Sequence, residues 1–80
     1  MSGRVYRPRP VNVRVGAGGL PEAVGRAAIE AVREEWLVED RWWTSRPLRR
    51  RYFELTTTSG ANRVVFCDLV AGGWFTQTGA

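Results

Sequence analysis

Three short runs rich in β-branched and aromatic residues follow one another in the second half of the chain. They are separated by short glycine-containing turns, and they are Arg51–Thr58, Arg63–Leu69 and Trp74–Thr78. Turns this short cannot hold a crossover, so the pattern predicts three consecutive antiparallel strands. Because side chains alternate across a strand, we expect Phe53 and Leu55 to point together into the core.

The beginning of the chain predicts one further strand and a basic arm. Apolar and polar residues alternate over residues 11–15, as in a half-buried strand, and the glycine-rich residues 16–19 predict a turn. Residues 1–10 contain three arginines and two prolines, which favour an extended backbone. We therefore predict a basic extended arm over 1–10 and a single β-rich domain over 11–80.

The segment from Leu20 to Val38 permits two structures. A four-residue apolar repeat favours a helix over 21–37, and its members are Val24, Ala28, Val32 and Trp36. The alanines at 27, 28 and 31 also favour a helix. A hairpin with its turn at Gly25–Arg26 is the alternative, with a short first strand and a long second one.

The residue types argue against several classes of function. Histidine is absent, and Cys67 is the only cysteine, so zinc, haem and iron–sulfur sites are not expected and no cofactor is predicted. A nucleophilic cysteine needs a neighbouring base, so we expect no enzyme activity. We see no secretory signal and no apolar run near the roughly 18–20 residues that span a bilayer. A reduced, cytoplasmic setting without membrane contact is the expectation.

Arginines and aromatic residues cluster in the middle of the chain and form the candidate binding surface. Its members are Trp42, Trp43, Arg46, Arg49, Arg50, Arg51 and Tyr52. Bases stack on exposed aromatic rings while arginines contact phosphates, so this surface could bind single-stranded nucleic acid. A structural interpretation is favoured over this one: one tryptophan lies in the core, and arginine stems cover the rings.

Four acidic residues precede this cluster, at Glu34, Glu35, Glu39 and Asp40. Because arginines surround them, we expect surface ion pairs and not a metal site. Asp68 stands just before a glycine-containing turn, where a carboxylate can accept hydrogen bonds from backbone amides. We expect a structural role for it, either capping that turn or pairing with an arginine.

The order of aromatic and charged residues over about residues 11–78 resembles a small bacterial domain. That domain forms the C-terminal extension of Y-family-polymerase-like subunits of the damage-induced mutasome, and it also occurs as short stand-alone proteins. The matching residues are Trp36, Val38, Glu39, Asp40, Trp42, Trp43, Pro47, Arg50 or Arg51 with Tyr52 and Phe53, Gly60, Asp68, Leu69, Gly73, Trp74 and Gln77.

The resemblance implies strands over residues 22–38. We therefore predict a mainly β fold, a small bent antiparallel sheet or partly open barrel of five or six strands. An α+β fold with a helix at 21–37 is the alternative.

The resemblance also implies a non-catalytic accessory module that binds a protein partner, the polymerase-like subunits, in translesion DNA synthesis or the DNA-damage response. Direct binding of single-stranded nucleic acid is the second functional hypothesis. A structural homodimer, paired through an open sheet edge, is the third.

Overall fold

Seven antiparallel strands form a single curled sheet in a computed structural model, which describes residues 8–40, 43–45 and 47–77. The strands are β1 (Pro8–Pro10), β2 (Val13–Val15), β3 (Pro21–Val24), β4 (Ala27–Asp40), β5 (Leu48–Thr57), β6 (Asn62–Asp68) and β7 (Trp74–Gln77). A single 3₁₀ turn, Ala17–Gly19, joins β2 to β3. None of the described residues forms a helix long and apolar enough to cross a membrane.

The strands are ordered β1-β7-β6-β5-β4-β3-β2 in the sheet. The predicted meander is confirmed as β5, β6 and β7, because each pairs antiparallel with the next. The two edge strands, β1 and β2, are separated in sequence by only Val11 and Asn12. The Val11 N–H donates to the Trp74 carbonyl at 3.0 Å, and the Asn12 carbonyl accepts from the Gly25 N–H at 2.7 Å. The two-residue connection between β1 and β2 therefore bonds to β7 at one end of the strand order and to the β3–β4 turn at the other. The sheet curls into a half-barrel.

The mainly β fold is confirmed, and the number of strands is corrected from five or six to seven. The hairpin interpretation of residues 21–38 is correct, with its turn at Gly25–Arg26 between β3 and β4, and the helical alternative is wrong. The last three residues of the predicted arm form β1 and pair with β7. Residues 1–7 lie outside the described part of the chain.

The core lies on the concave side of the curled sheet. Phe53 and Leu55 are fully buried, as predicted, and they pack with Val24 and Val65. Strand β3 is not a neighbour of β5, so Val24 reaches these side chains only because the sheet curls. Partly buried side chains complete the cluster: Val11, Val13, Ile29, Val32 and Trp74.

Candidate interaction surface

Four aromatic rings form a row across the convex face of the sheet. In register, Trp36 on β4 pairs with Tyr52 on β5, Tyr52 with Phe66 on β6, and Phe66 with Phe75 on β7. Successive ring centroids are 5.3, 5.0 and 5.2 Å apart, and the first pair is stacked with an interplanar angle of 10°. These distances suit favourable aromatic contacts, so the aromatic row stabilises the pairing of four neighbouring strands.

Arg50 covers the middle of the aromatic row. Its guanidinium lies 4.5 Å from the centroid of Phe66, and its Nη1 donates to the Tyr52 hydroxyl at 3.3 Å. Phe66 is only 1% exposed although it faces away from the core, because Arg50 and the two neighbouring rings enclose it. An arginine does cover an aromatic ring, as the structural interpretation predicts, but the ring is Phe66 and not one of the two tryptophans, and Trp43 is exposed.

The two neighbouring arginines lie on the concave face, where each pairs with a glutamate of β4. Arg49 Nε is 2.7 Å from a Glu39 carboxylate oxygen, and Arg51 Nε is 2.5 Å from one of Glu35. The Arg51 guanidinium also lies 4.9 Å from the Phe53 ring centroid. The expected surface ion pairs are thus confirmed for Glu35 and Glu39. The arginines of this run are engaged with acids and rings of the same chain.

The candidate surface predicted from sequence does not lie on one face. Along β5, Arg50 and Tyr52 point to the convex face, while Arg49 and Arg51 point to the concave face, as alternation requires. Trp43 lies in the connection between β4 and β5 and is 65% exposed. Trp42 and Arg46 lie outside the described residues.

Five exposed apolar side chains lie toward the end of the sheet that carries the β4–β5 connection and the β6–β7 turn, although the adjacent Trp36 and Leu37 point to opposite faces of β4. The Leu69 N–H donates to the Arg49 carbonyl at 2.9 Å, which holds this turn beside β5. We call the exposed set the apolar end, and it comprises Trp36 (37% exposed), Leu37 (51%), Trp43 (65%), Leu69 (43%) and Val70 (54%). Of these five residues, only Trp43 belongs to the surface predicted from sequence.

The β6–β7 turn is held by Asp68, as predicted. Its Oδ1 accepts hydrogen bonds from the N–H groups of Val70 and Ala71, both at 2.9 Å. The bond from Ala71 is the main cause that lowers the pKa of Asp68, with smaller contributions from Val70 and Arg50. The Asp68 side chain therefore fixes the position of the turn that carries Leu69 and Val70.

The Cys67 thiol and the acidic side chains are the groups to consider for catalysis or metal binding. Burial and the neighbouring Asp68 carboxylate raise the pKa of the Cys67 thiol, and Arg51 opposes them only in part, so the thiol is poorly nucleophilic. Within the described ranges, no three Cys, Asp or Glu side chains converge closely enough to hold a metal ion.

An open groove of about 290 Å³ lies between the start of β3, the 3₁₀ turn and the first half of β4. It forms because the pairing of β3 with β4 ends at Ala28. Its walls are mainly apolar, and among the described residues that line it, the charged ones are Glu22 and Glu30.

Comparisons of the chain with protein-family models, with curated proteins and with solved structures found no significant match.

Proposed function

We propose that this chain is a non-catalytic protein-interaction module that binds its partner through the apolar end. One observation carries the proposal: within the described residues, five of the seven exposed large hydrophobic side chains belong to this end of the sheet. A concentration of exposed large apolar side chains in one part of a protein is characteristic of interaction sites, and tryptophan is enriched where binding energy concentrates. The hydrogen bonds of Asp68 hold the β6–β7 turn in place before binding.

The engaged arginines support a protein partner over a phosphate backbone. Arg49 and Arg51 are neutralised by Glu39 and Glu35, and Arg50 is stacked over Phe66. A phosphate would have to compete with these contacts, whereas an apolar partner surface would leave them intact.

The polymerase-like subunits of the bacterial mutasome are the partner that the sequence resemblance suggests. Support for this partner comes from the order of aromatic and charged residues alone. The role would be accessory to translesion DNA synthesis in the DNA-damage response.

Co-purification tests the proposal directly. The tagged chain, immobilised at micromolar concentration, should retain the polymerase-like subunit, and the double substitution Leu69→Asp with Val70→Asp should abolish retention. Val15→Asp is the matched control, because Val15 is 44% exposed but lies on β2, away from the apolar end. No retention by the unmodified chain, or equal loss in the control, would count against the proposal.

Binding of single-stranded nucleic acid is a second candidate, favoured by the position of Trp36. This ring ends the aromatic row and remains 37% exposed, so an unpaired base could stack on it. Anisotropy of a labelled oligonucleotide at low and near-physiological salt tests this function. Binding that survives near-physiological salt and is lost in Trp36→Ala would support it. Binding confined to low salt would reflect only weak phosphate contacts.

A further inference from the structure

The outer edge of β4 lacks a neighbouring strand along most of its length. Strand β3 pairs with β4 only at Ala27 and Ala28, but β4 continues to Asp40. Among the described residues, no strand pairs with the outer edge of β4 from Arg33 to Glu39. An exposed edge of this kind presents backbone N–H and C=O groups on which another strand can form.

The part of this edge that follows the two bulges of β4 is regular. The bulges place Glu30 and Arg33 out of register with β5, and bulges usually hinder the addition of a strand. From Glu34 to Asp40, however, every residue pairs in unbroken register with β5. At about 3.3 Å per residue, this segment accommodates an extended peptide of roughly six or seven residues.

The side chains on the convex face of this segment indicate what would pair there. The aromatic row ends at Trp36, so an aromatic residue in an added strand would continue it. Glu34 lies directly opposite Glu54 on β5, and like charges in such a position repel. Neither carboxylate forms an ion pair within the described part of the chain. A cation in the added strand, opposite Glu34, would offset this repulsion.

We propose that the edge of β4 from Glu34 to Glu39 binds an extended, basic segment of a partner protein as an eighth strand of the sheet. The segment carries Lys or Arg two positions from an aromatic residue, so that both side chains lie on the convex face. This inference rests on the proposed protein-interaction function and specifies its mode.

A second copy of the chain is a poor occupant of the same edge. The segment 33–40 contains four acidic residues and one arginine, so two antiparallel copies of β4 would place like charges together. The opposite edge of the sheet, β1, has only three residues, and two of them are prolines without an N–H. A basic partner avoids both obstacles.

The test uses the purified full chain and a capped synthetic peptide, Lys-Val-Ile-Trp-Thr-Lys-Thr. In antiparallel register its tryptophan lies opposite Trp36 and its second lysine opposite Glu34. We expect saturable binding and slower hydrogen exchange of backbone amides within Glu34–Glu39, with exchange at Phe53 and Val65 unchanged. The same peptide with both lysines replaced by glutamate should bind at least tenfold more weakly. Comparable binding of the two peptides, or slowed exchange elsewhere only, would overturn the inference.

Charge reversal on β4 provides the matched variants. Glu34→Lys should weaken binding of the basic peptide at least fivefold, whereas Glu30→Lys makes the same charge change outside the proposed edge and should leave affinity within twofold. Equal losses in both variants would indicate only a general electrostatic attraction and would overturn the proposal. Sedimentation of the chain alone completes the test, because a dimer that protects these same amides would assign the edge to a second copy.

Failure of this mode and failure of the proposed function are distinguishable. Retention of the polymerase-like subunit that depends on Leu69 and Val70, without peptide binding at β4, would leave the function standing and reject the edge. Peptide binding at β4 without that retention would support the β4 edge as a binding site. It would contradict the proposal that the apolar end binds the polymerase-like subunit.

Discussion

The guanidinium of Arg50 lies 4.5 Å from the ring centroid of Phe66, on the face of the sheet turned away from the core. The contact explains how a large aromatic side chain stays buried outside the core cluster. The apolar stem of Arg50 and its cationic head both contribute, the second by about 0.5–2 kcal/mol when partly desolvated.

Two substitutions of Arg50 should therefore separate the contribution of its apolar stem from that of its charge. Arg50→Ala removes both packing and charge, and we expect a loss of about 1–2 kcal/mol in the free energy of unfolding. Arg50→Met keeps much of the packing and removes Nε, which has no hydrogen-bond partner among the described residues, so its cost should be smaller. Urea denaturation measures both.

Arg49→Ala is the control for these variants, because it breaks an exposed ion pair on the other face. Such pairs contribute about 0–1 kcal/mol. An effect of Arg49→Ala as large as that of Arg50→Ala would contradict the role assigned to the contact with Phe66.

Leu55 tests the position of the core. Leu55→Ala should lower the free energy of unfolding by about 2–5 kcal/mol, since the side chain is fully buried and leaves a cavity. The total free energy of unfolding of a chain of 80 residues is about 4–12 kcal/mol. The Leu55→Ala variant should therefore be close to unfolding at room temperature. Leu37→Ala, at a site 51% exposed, should change stability by less than about 0.5 kcal/mol. Equal effects in thermal or urea unfolding would argue against this core.

The bulges of β4 explain one helix-like spacing within residues 21–37, although not the four-residue repeat itself. Each bulge inserts one residue, so the core-facing Ile29 and Val32 are three positions apart where a regular strand would separate them by two. A spacing of three between apolar residues resembles one face of a helix. The meander had no bulge to obscure its alternation, and it was predictable for that reason.

The candidate site was less predictable than the fold, because it depends on register. Pairing of Trp36 with Tyr52 follows from the alignment of β4 and β5, which are separated by seven residues in the sequence. The same alignment places Arg49 and Arg51 in ion pairs with glutamates and places Arg50 against an aromatic ring. Sequence identified the arginines as a cluster, but alternation along β5 divides them between two faces.

Gly25 tests the hairpin that replaces the predicted helix. Its φ of 58° lies in the left-handed region, and a Cβ there would meet no atom within 4 Å. Gly25→Ala should therefore cost about 1–2 kcal/mol from backbone conformation alone. Gly25→Asn should cost less, because asparagine tolerates this region better. If the alanine variant were as stable as the parent by urea denaturation, the turn would not have this backbone conformation.

The Cys67 thiol should react slowly near neutral pH. Burial raises its pKa most, Asp68 raises it further, and Arg51 lowers it in part. Because the thiolate is the reactive form, alkylation by iodoacetamide should be slower in the folded protein than in urea. Mass spectrometry measures both rates. Arg51→Met should slow the reaction further, since it removes the cation that favours the thiolate, and a faster reaction would contradict the assigned causes.

Asp68 should make the stability of the protein depend on pH in the acid range. Its pKa is lowered in the folded state, so its contribution is complete above the ordinary Asp pKa of about 3.9 and is lost as pH falls through the lowered value. Asp68→Ala should cost about 1 kcal/mol at neutral pH, because Val70 and Ala71 lose their acceptor. The difference in stability between the parent and this variant should then shrink on acidification. Asp68→Asn keeps an acceptor oxygen but does not titrate. The difference in free energy of unfolding between the Asp68→Asn and Asp68→Ala variants should therefore stay constant with pH. Urea denaturation between pH 2 and 7 measures these differences, and a parent-to-alanine difference that grew on acidification would reverse the sign argued for this carboxylate.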